Sequence, residues 1–233
     1  RAPHHCITPQ AMAGGGNGLM PGEVSLACHG VLFMDEFNLF STKTVEVLRQ
    51  PMESGHILID RVNGKVEYPA DFMLVAAMNP CKCGYYPDRN KCSCTPAQVR
   101  AYFGRLSRPL LDRIDVCVQV PRIKYEDMVY DGKDLYTNEY MRSTVERVFN
   151  IQKERFADEK YSLNSSIPAA DVSRYCILDR EAENLMNSIY DSCDLSARGY
   201  HKLLKVARTI ADIDGSEHIM AEHICEASGY RMV

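Results

Sequence analysis

The chain has 233 residues, 45% hydrophobic and 25% charged, with a formal net charge of −4. That length can bury one large core or two modest ones, and the acidic balance excludes a global pull toward nucleic acid, so any such binding needs a local patch. No apolar run reaches the roughly 18 residues of a membrane span and no signal peptide is visible, while ten cysteines without a secretion signal predict reduced thiols in the cytoplasm.

The chain starts at Arg1-Ala2-Pro3 without a methionine and reads as a fragment. Residues 1–22, rich in Gly and Pro, are expected to be loop or insert. The run Gly14-Gly15-Gly16-Asn17-Gly18 resembles a phosphate loop only superficially, because the Gly-Lys-Ser/Thr ending is missing. A short helix is predicted over Gly22–Ala27. Next comes Gly30-Val31-Leu32-Phe33-Met34-Asp35-Glu36, a buried strand ending in two acids. Such a strand delivers a carboxylate pair to a sheet edge, as an ATPase needs for Mg²⁺ and its attacking water. Acids suited to a following helix N-terminus are the alternative.

Residues 41–54 carry Val45, Leu48 and Met52 at helical spacing. Two β-prone runs around Asn63-Gly64 predict a hairpin, since Asn-Gly accepts the positive φ of a tight turn. Phe72–Met78 is all apolar, suiting a strand covered on both faces, and ends at Asn79-Pro80. Residues 96–112 read as helix with a break near Arg108-Pro109, and Asp115–Val120 as a further strand. From about residue 124 helical patterns dominate (124–158, 168–175, 179–193, 197–213, 218–229), and 130–140 reads as an insert. The composition therefore predicts an α/β domain over 1–122 and a helical domain over 123–233.

Four cysteines form two close pairs, Cys81/Cys83 and Cys92/Cys94. Four soft ligands in two pairs can supply a closed tetrahedral site for structural zinc; two reduced, unliganded turns are the alternative. His4 and His5 are assigned to packing or contacts. Between Cys81 and Arg113 there are seven basic residues against two acidic ones, interleaved with Tyr85, Tyr86, Tyr102 and Phe103. That segment is a phosphate-facing surface or, equally, a solvated face with an intersubunit interface. Arg61 and Lys65 beside the hairpin turn are the better DNA-binding candidates, against the reading of a bare surface hairpin.

Longer strings carry a resemblance. Ala2-Pro3-His4-His5, Pro21–Ala27, Leu48-Arg49-Gln50-Pro51-Met52-Glu53, Ala76–Cys81, Pro109–Asp115, Ser196–His201 and Val206–Asp212 together resemble the Mg-chelatase-like AAA+ ATPases of the competence protein ComM (YifB) type. The resemblance implies a three-layer AAA+ core, here an incomplete parallel sheet with a β-hairpin before the sensor-1 strand, followed by an all-α lid. It implies ATP and Mg²⁺ as substrate and cofactor, Asp35 and Glu36 in the Walker B roles, Asn79 as sensor 1, Arg113 as arginine finger and Arg198 as sensor 2. For Asn79, Arg113 and Arg198, a strand cap, a salt bridge to Asp112 or Asp115, and a solvated helix start are the plain alternatives. The family's phosphate loop is expected before residue 1, which would leave these residues alone inactive. The implied function is a hexameric ring motor on single-stranded or branched DNA, doing helicase or branch-migration work. The second reading is a chelatase-type ATPase that remodels a protein during Mg²⁺ insertion into a porphyrin.

Overall fold

The computed structural model describes residues 1–16, 18–61, 64–121, 123, 125 and 136–231. Residues 62–63 of the expected hairpin turn and 130–135 of the expected insert lie outside them. The chain is mixed α/β and divides into two compact units, Arg1–Arg113 and Ile114–Val233.

In the first unit, β3 (Val31–Met34) pairs in parallel with β6 (Met73–Ala76), in the register Val31↔Met73 through Met34↔Ala76. Leu32 and Met34 are wholly buried, as are Met12, Leu48 and Val24, the last on α2 (Glu23–Leu26). The strand alternation turns Val31 and Phe33 the other way, where they are exposed together with Met73 and Val75. The run 72–78 is therefore not covered on both faces as expected, because no described element packs on that side. The hairpin pairs β4 (His56–Arg61) with β5 (Gly64–Pro69), and buries Ile57 and Ile59.

Four further expectations for this unit and the segment after it need correction. Residues 1–22 are not all loop: α1 (Pro9–Ala13) is capped by Thr8, whose Oγ1 accepts from Ala11 N at 3.2 Å. It leads into the two-residue ladder of β1 (Gly14–Gly15) and β2 (Met20–Pro21). Gly14, at φ +105°, lets backbones meet; a Cβ there would lie 2.6 Å from the Met20 carbonyl oxygen. Residues 41–54 form α3 (Thr42–Glu46), a 3₁₀ turn (Val47–Arg49) and α4 (Pro51–Ser54), since Pro51 has no N–H to continue one ladder. The helical break after 96 falls between α5 (Pro96–Phe103) and α6 (Arg108–Leu111), and Pro109 sits in the first turn of α6, where a missing donor is harmless.

Residues 115–120 form no strand. Val116, Val118 and Val120 are exposed, and the segment's backbone bond is Cys117 N to the Tyr230 carbonyl at 2.7 Å. An alternating sequence becomes a strand only beside a partner edge, and none is present among the described residues.

The second unit is helical: α7 (Asn138–Arg155), α8 (Val172–Tyr175), α9 (Arg180–Ser192), α10 (Ala197–Asp214) and α11 (Ala221–Gly229). A single β-bridge, Leu178 with Ile219, is the extended pairing among its described residues. Its core gathers Phe156, Ile167, Met186, Leu203, Leu204, Ala207 and Ile224. Through that core runs a polar cluster: Asp212 accepts from Arg155, from Arg208 Nε at 3.1 Å and from Asn164 Nδ2 at 2.8 Å. Burial alone would raise the Asp212 carboxyl, yet these donors hold it below its usual range.

Candidate functional site

The parallel pair β3–β6 fixes the first constellation. Beyond Met34 and Ala76 the two strands part, and the Phe37 N–H donates to the Ala77 carbonyl at 2.9 Å while Ala77 N–H donates to Met34 at 3.0 Å. Those two bonds bring Asp35 and Glu36 beside Asn79. Together with Ala77 and Met78 they line a shallow cavity of about 130 Å³ at the carboxyl end of the strands, the end where open α/β sheets bind ligands. Asp35 Oδ1 accepts from the Glu36 N–H at 2.8 Å.

Glu36 adopts a left-handed backbone, φ 51° and ψ 43°. This conformation is uncommon for a residue with a Cβ, and such strain tends to gather at functional positions. A residue that sequence reasoning assigned to packing reaches it: His5 Nδ1 lies 3.3 Å from Glu36 Oε2. The contact joins residues too distant in sequence for any local pattern to reveal.

Arg113 is mostly buried, bonded to the Glu53 carboxylate on α4 and to the Pro109 carbonyl. The Glu53 carboxylate is a partner that the sequence did not suggest. The Arg113 guanidinium thus already holds an oxyanion. Arg198 is exposed in the first turn of α10, next to the Ser196 cap that accepts from Gly199 N. Arg198 belongs to the second unit.

Arg61 and Lys65 lie exposed on the paired strands β4 and β5. Lys65 sits directly across from Asp60, and His56 pairs with Glu67 at 2.9 Å. The hairpin's charge is therefore more balanced than its two cations suggest. In the basic segment, Arg89 stacks over Tyr86 at 5.1 Å, and Arg105 donates to the Asn38 carbonyl at 3.4 Å. Part of that positive charge is already engaged.

The cysteines converge. Their four sulfurs all lie within 4.8 Å of one another, with Cys81–Cys83 at 3.3 Å, Cys83–Cys92 at 3.6 Å and Cys81–Cys92 at 3.8 Å. Sulfurs about 2.3 Å from a shared zinc stand roughly 3.8 Å apart in a tetrahedron, so the donor set and its spread fit a closed thiolate site. The Tyr85 N–H bond draws the Cys83 thiol down to about 6, whereas burial drives Cys92 up to about 11. Like charges in one cluster divide in this way unless a cation neutralises them.

Family comparison decides the affiliation. Residues 1–128 match the family described as magnesium chelatase, subunit ChlI, and residues 136–231 match its C-terminal part. The chain belongs to the magnesium chelatase ChlI family. Within this family, the chain is 41% identical over 231 residues to the competence protein ComM of Haemophilus influenzae, covering 99% of this chain and 44% of that protein. It is 40% identical over 233 residues to YifB of Escherichia coli, covering 100% of this chain and 45% of that one. The 38 kDa magnesium-chelatase subunit of Chlorobaculum parvum is 24% identical over 227 residues, 94% of this chain and 56% of that subunit. The chain thus spans less than half the length of the ComM- and YifB-type relatives. No helix among the described residues is long and apolar enough to cross a membrane.

Proposed function

We propose that this chain is part of an ATP-hydrolysing AAA+ ring motor that acts on DNA, with the first unit as catalytic core and the helical unit as its lid. The observation that carries the ATPase reading is the convergence of Asp35, Glu36 and Asn79 at the carboxyl end of β3 and β6. Asp35 would hold Mg²⁺, which when bound neutralises phosphate charge. Glu36 accepts a hydrogen bond from the attacking water and draws its proton, and the Asn79 amide orients that water toward the terminal phosphate. Arg113, released from Glu53, would exchange a carboxylate for phosphate oxygens on the neighbouring subunit's nucleotide. Arg198 would reach a nucleotide from the lid.

No Gly-x-x-x-x-Gly-Lys-Ser/Thr string occurs in these 233 residues. A backbone cradle with its lysine is the usual anchor of a triphosphate, so residues 1–233 by themselves are expected to hydrolyse no ATP. The cysteine cluster would hold zinc as a structural clamp, since four thiolates leave no open coordination position.

A DNA substrate draws its support from the similarity to a competence protein and from Arg61 and Lys65. The second reading, an ATPase that remodels a protein partner as chelatases do, is favoured by one observation: Asp60 and Glu67 offset the hairpin's cations. ATP turnover by the intact protein, with and without forked DNA and with Glu36→Gln as blank, separates the two. DNA stimulation that vanishes in the blank supports the motor; turnover indifferent to DNA moves the assignment to protein remodelling.

A further inference from the structure

We infer that His5 is a positioning residue for Glu36, holding one carboxylate oxygen so that the other faces the attacking water. The inference rests on the reading of Glu36 as the group that polarises that water. The observation is a charge contact, His5 Nδ1 to Glu36 Oε2 at 3.3 Å; in the inferred role Nδ1 carries the proton, since the carboxylate can only accept.

Both ends of the contact are anchored differently. The Glu36 backbone is fixed by its left-handed conformation and by the Phe37–Ala77 bond, but its side chain is 51% exposed. An exposed carboxylate on a flexible stem samples several rotamers. His5 supplies the missing restraint, because its own loop is tied down. Ile7 N–H donates to the His4 carbonyl at 3.0 Å and Cys6 N–H to His4 Nδ1 at 3.3 Å. Wholly buried Thr44 on α3 donates from Oγ1 to the Ile7 carbonyl at 3.2 Å. The His5 ring meets buried Phe40 edge-on, with centroids 6.4 Å apart at 78°, and lies 4.1 Å from the His4 ring. A line of rigid contacts therefore runs from α3 through the His4–Ile7 turn to Glu36.

With Oε2 held, Oε1 remains for the water. Orientation of a reacting group at this scale is worth a large factor in rate, since a misplacement of about 1 Å can cost on the order of 100-fold. The effect belongs to the chemical step and leaves ATP affinity unchanged.

The test compares four variants of the intact protein by steady-state ATP turnover. His5→Ala should lower kcat about 10-fold at unchanged KM for ATP, the signature of an interaction needed beyond substrate binding. His5→Asn, whose amide N–H₂ falls near the position of Nδ1, should recover most of the loss. His5→Phe keeps the packing on Phe40 without a donor and should be as slow as the alanine variant. The inference is overturned if His5→Phe turns over like wild type, or if His5→Asn is no faster than His5→Phe. It is also overturned if His5→Ala raises KM while kcat stays intact. Should the alanine variant fail to fold, the Asn and Phe pair still decides. Glu36→Gln, the fourth variant, guards the underlying reading: wild-type turnover there removes Glu36 from the chemistry and the His5 role with it. A dead Glu36→Gln beside a normal His5→Phe sinks the His5 role alone.

Discussion

Asp212 in the second unit and the Asp35–Glu36 pair in the first are both carboxylate centres with polar neighbours, yet the fold treats them in opposite ways. Asp212 is 1% exposed, and Arg155, Arg208, Asn164 and Gln152 all direct donors at its two oxygens. Asp35 and Glu36 stand at an open cavity, and among the described residues each has one partner, a backbone N–H for Asp35 and His5 for Glu36. A buried charge is tolerable only when its hydrogen bonds are filled, so the Asp212 cluster is consumed by structure. An acid with spare acceptor capacity at a strand end can still accept from water or bind a cation. Perturbation and burial mark the first centre; the second is distinguished by convergence with capacity left over.

The largest expected effect tests the open centre. Glu36→Gln keeps the shape and removes the base, so ATP turnover by the intact protein should fall about 100- to 10,000-fold while nucleotide stays bound. Turnover near the wild-type level would mean that the pair is only a strand end meeting a helix start.

The closed centre should respond in stability and in no other way. Asp212→Ala leaves Arg155 and Arg208 without their shared anion, a loss of about 3–5 kcal/mol typical of a broken buried pair, read as a lower denaturation midpoint. Because the Asp212 carboxyl titrates below its ordinary 3.8 in the fold, its contribution is complete above that value. It disappears only as pH falls through the depressed one. The gap between variant and wild type should therefore be constant from pH 5 to pH 7 and narrow in stronger acid. A gap that widens on acidification would contradict the assignment.

How far the sequence could reveal these differences depends on the reach of each contact. The hairpin, the strand before Asp35 and helices such as Arg180–Ser192 follow local periodicity, and the close pairing of Cys81/Cys83 and Cys92/Cys94 made a cluster legible. Residues 115–120 carry an equally clear alternation, but a strand requires an edge to join and the described chain offers none. Pro51 was visible, yet the amphipathic spacing of Val45, Leu48 and Met52 concealed that it divides the helix. His5 with Glu36, and Glu53 with Arg113, are tertiary pairs set by where loops return, so no spacing rule announces them. The i,i+4 pair Arg208 and Asp212 looks in sequence like an ordinary solvated face. Only burial shows it to be core.

The cysteine cluster shares a trait with each centre: its sulfurs converge as the Asp35–Glu36 edge does, and its ligands enclose one another as the donors enclose Asp212. Cys92→Ser with Cys94→Ser should lower bound zinc from one equivalent to none by elemental analysis, and raise amide exchange over residues 81–94. Equal zinc content in the double variant would return these thiols to the status of unliganded turns. A protein that never carries zinc at all would do the same, and would leave the divided thiol acidities as a property of the bare cluster.

The smallest effect concerns the hairpin, where charge is neither buried nor convergent. Lys65→Glu should reduce DNA affinity only a few-fold at moderate salt and flatten the slope of log affinity against log salt by about one phosphate contact, roughly 0.7–0.9. The change is small because Asp60 stands directly across the ladder from Lys65 and offsets part of its field, as opposite charges in cross-strand register do. That neighbour also sharpens the test. Asp60→Asn releases Lys65 from its counter-charge, so it should strengthen DNA binding and steepen the salt slope. If both variants leave the salt titration unchanged, the hairpin touches no phosphate, and its balanced charges are better matched to a protein surface.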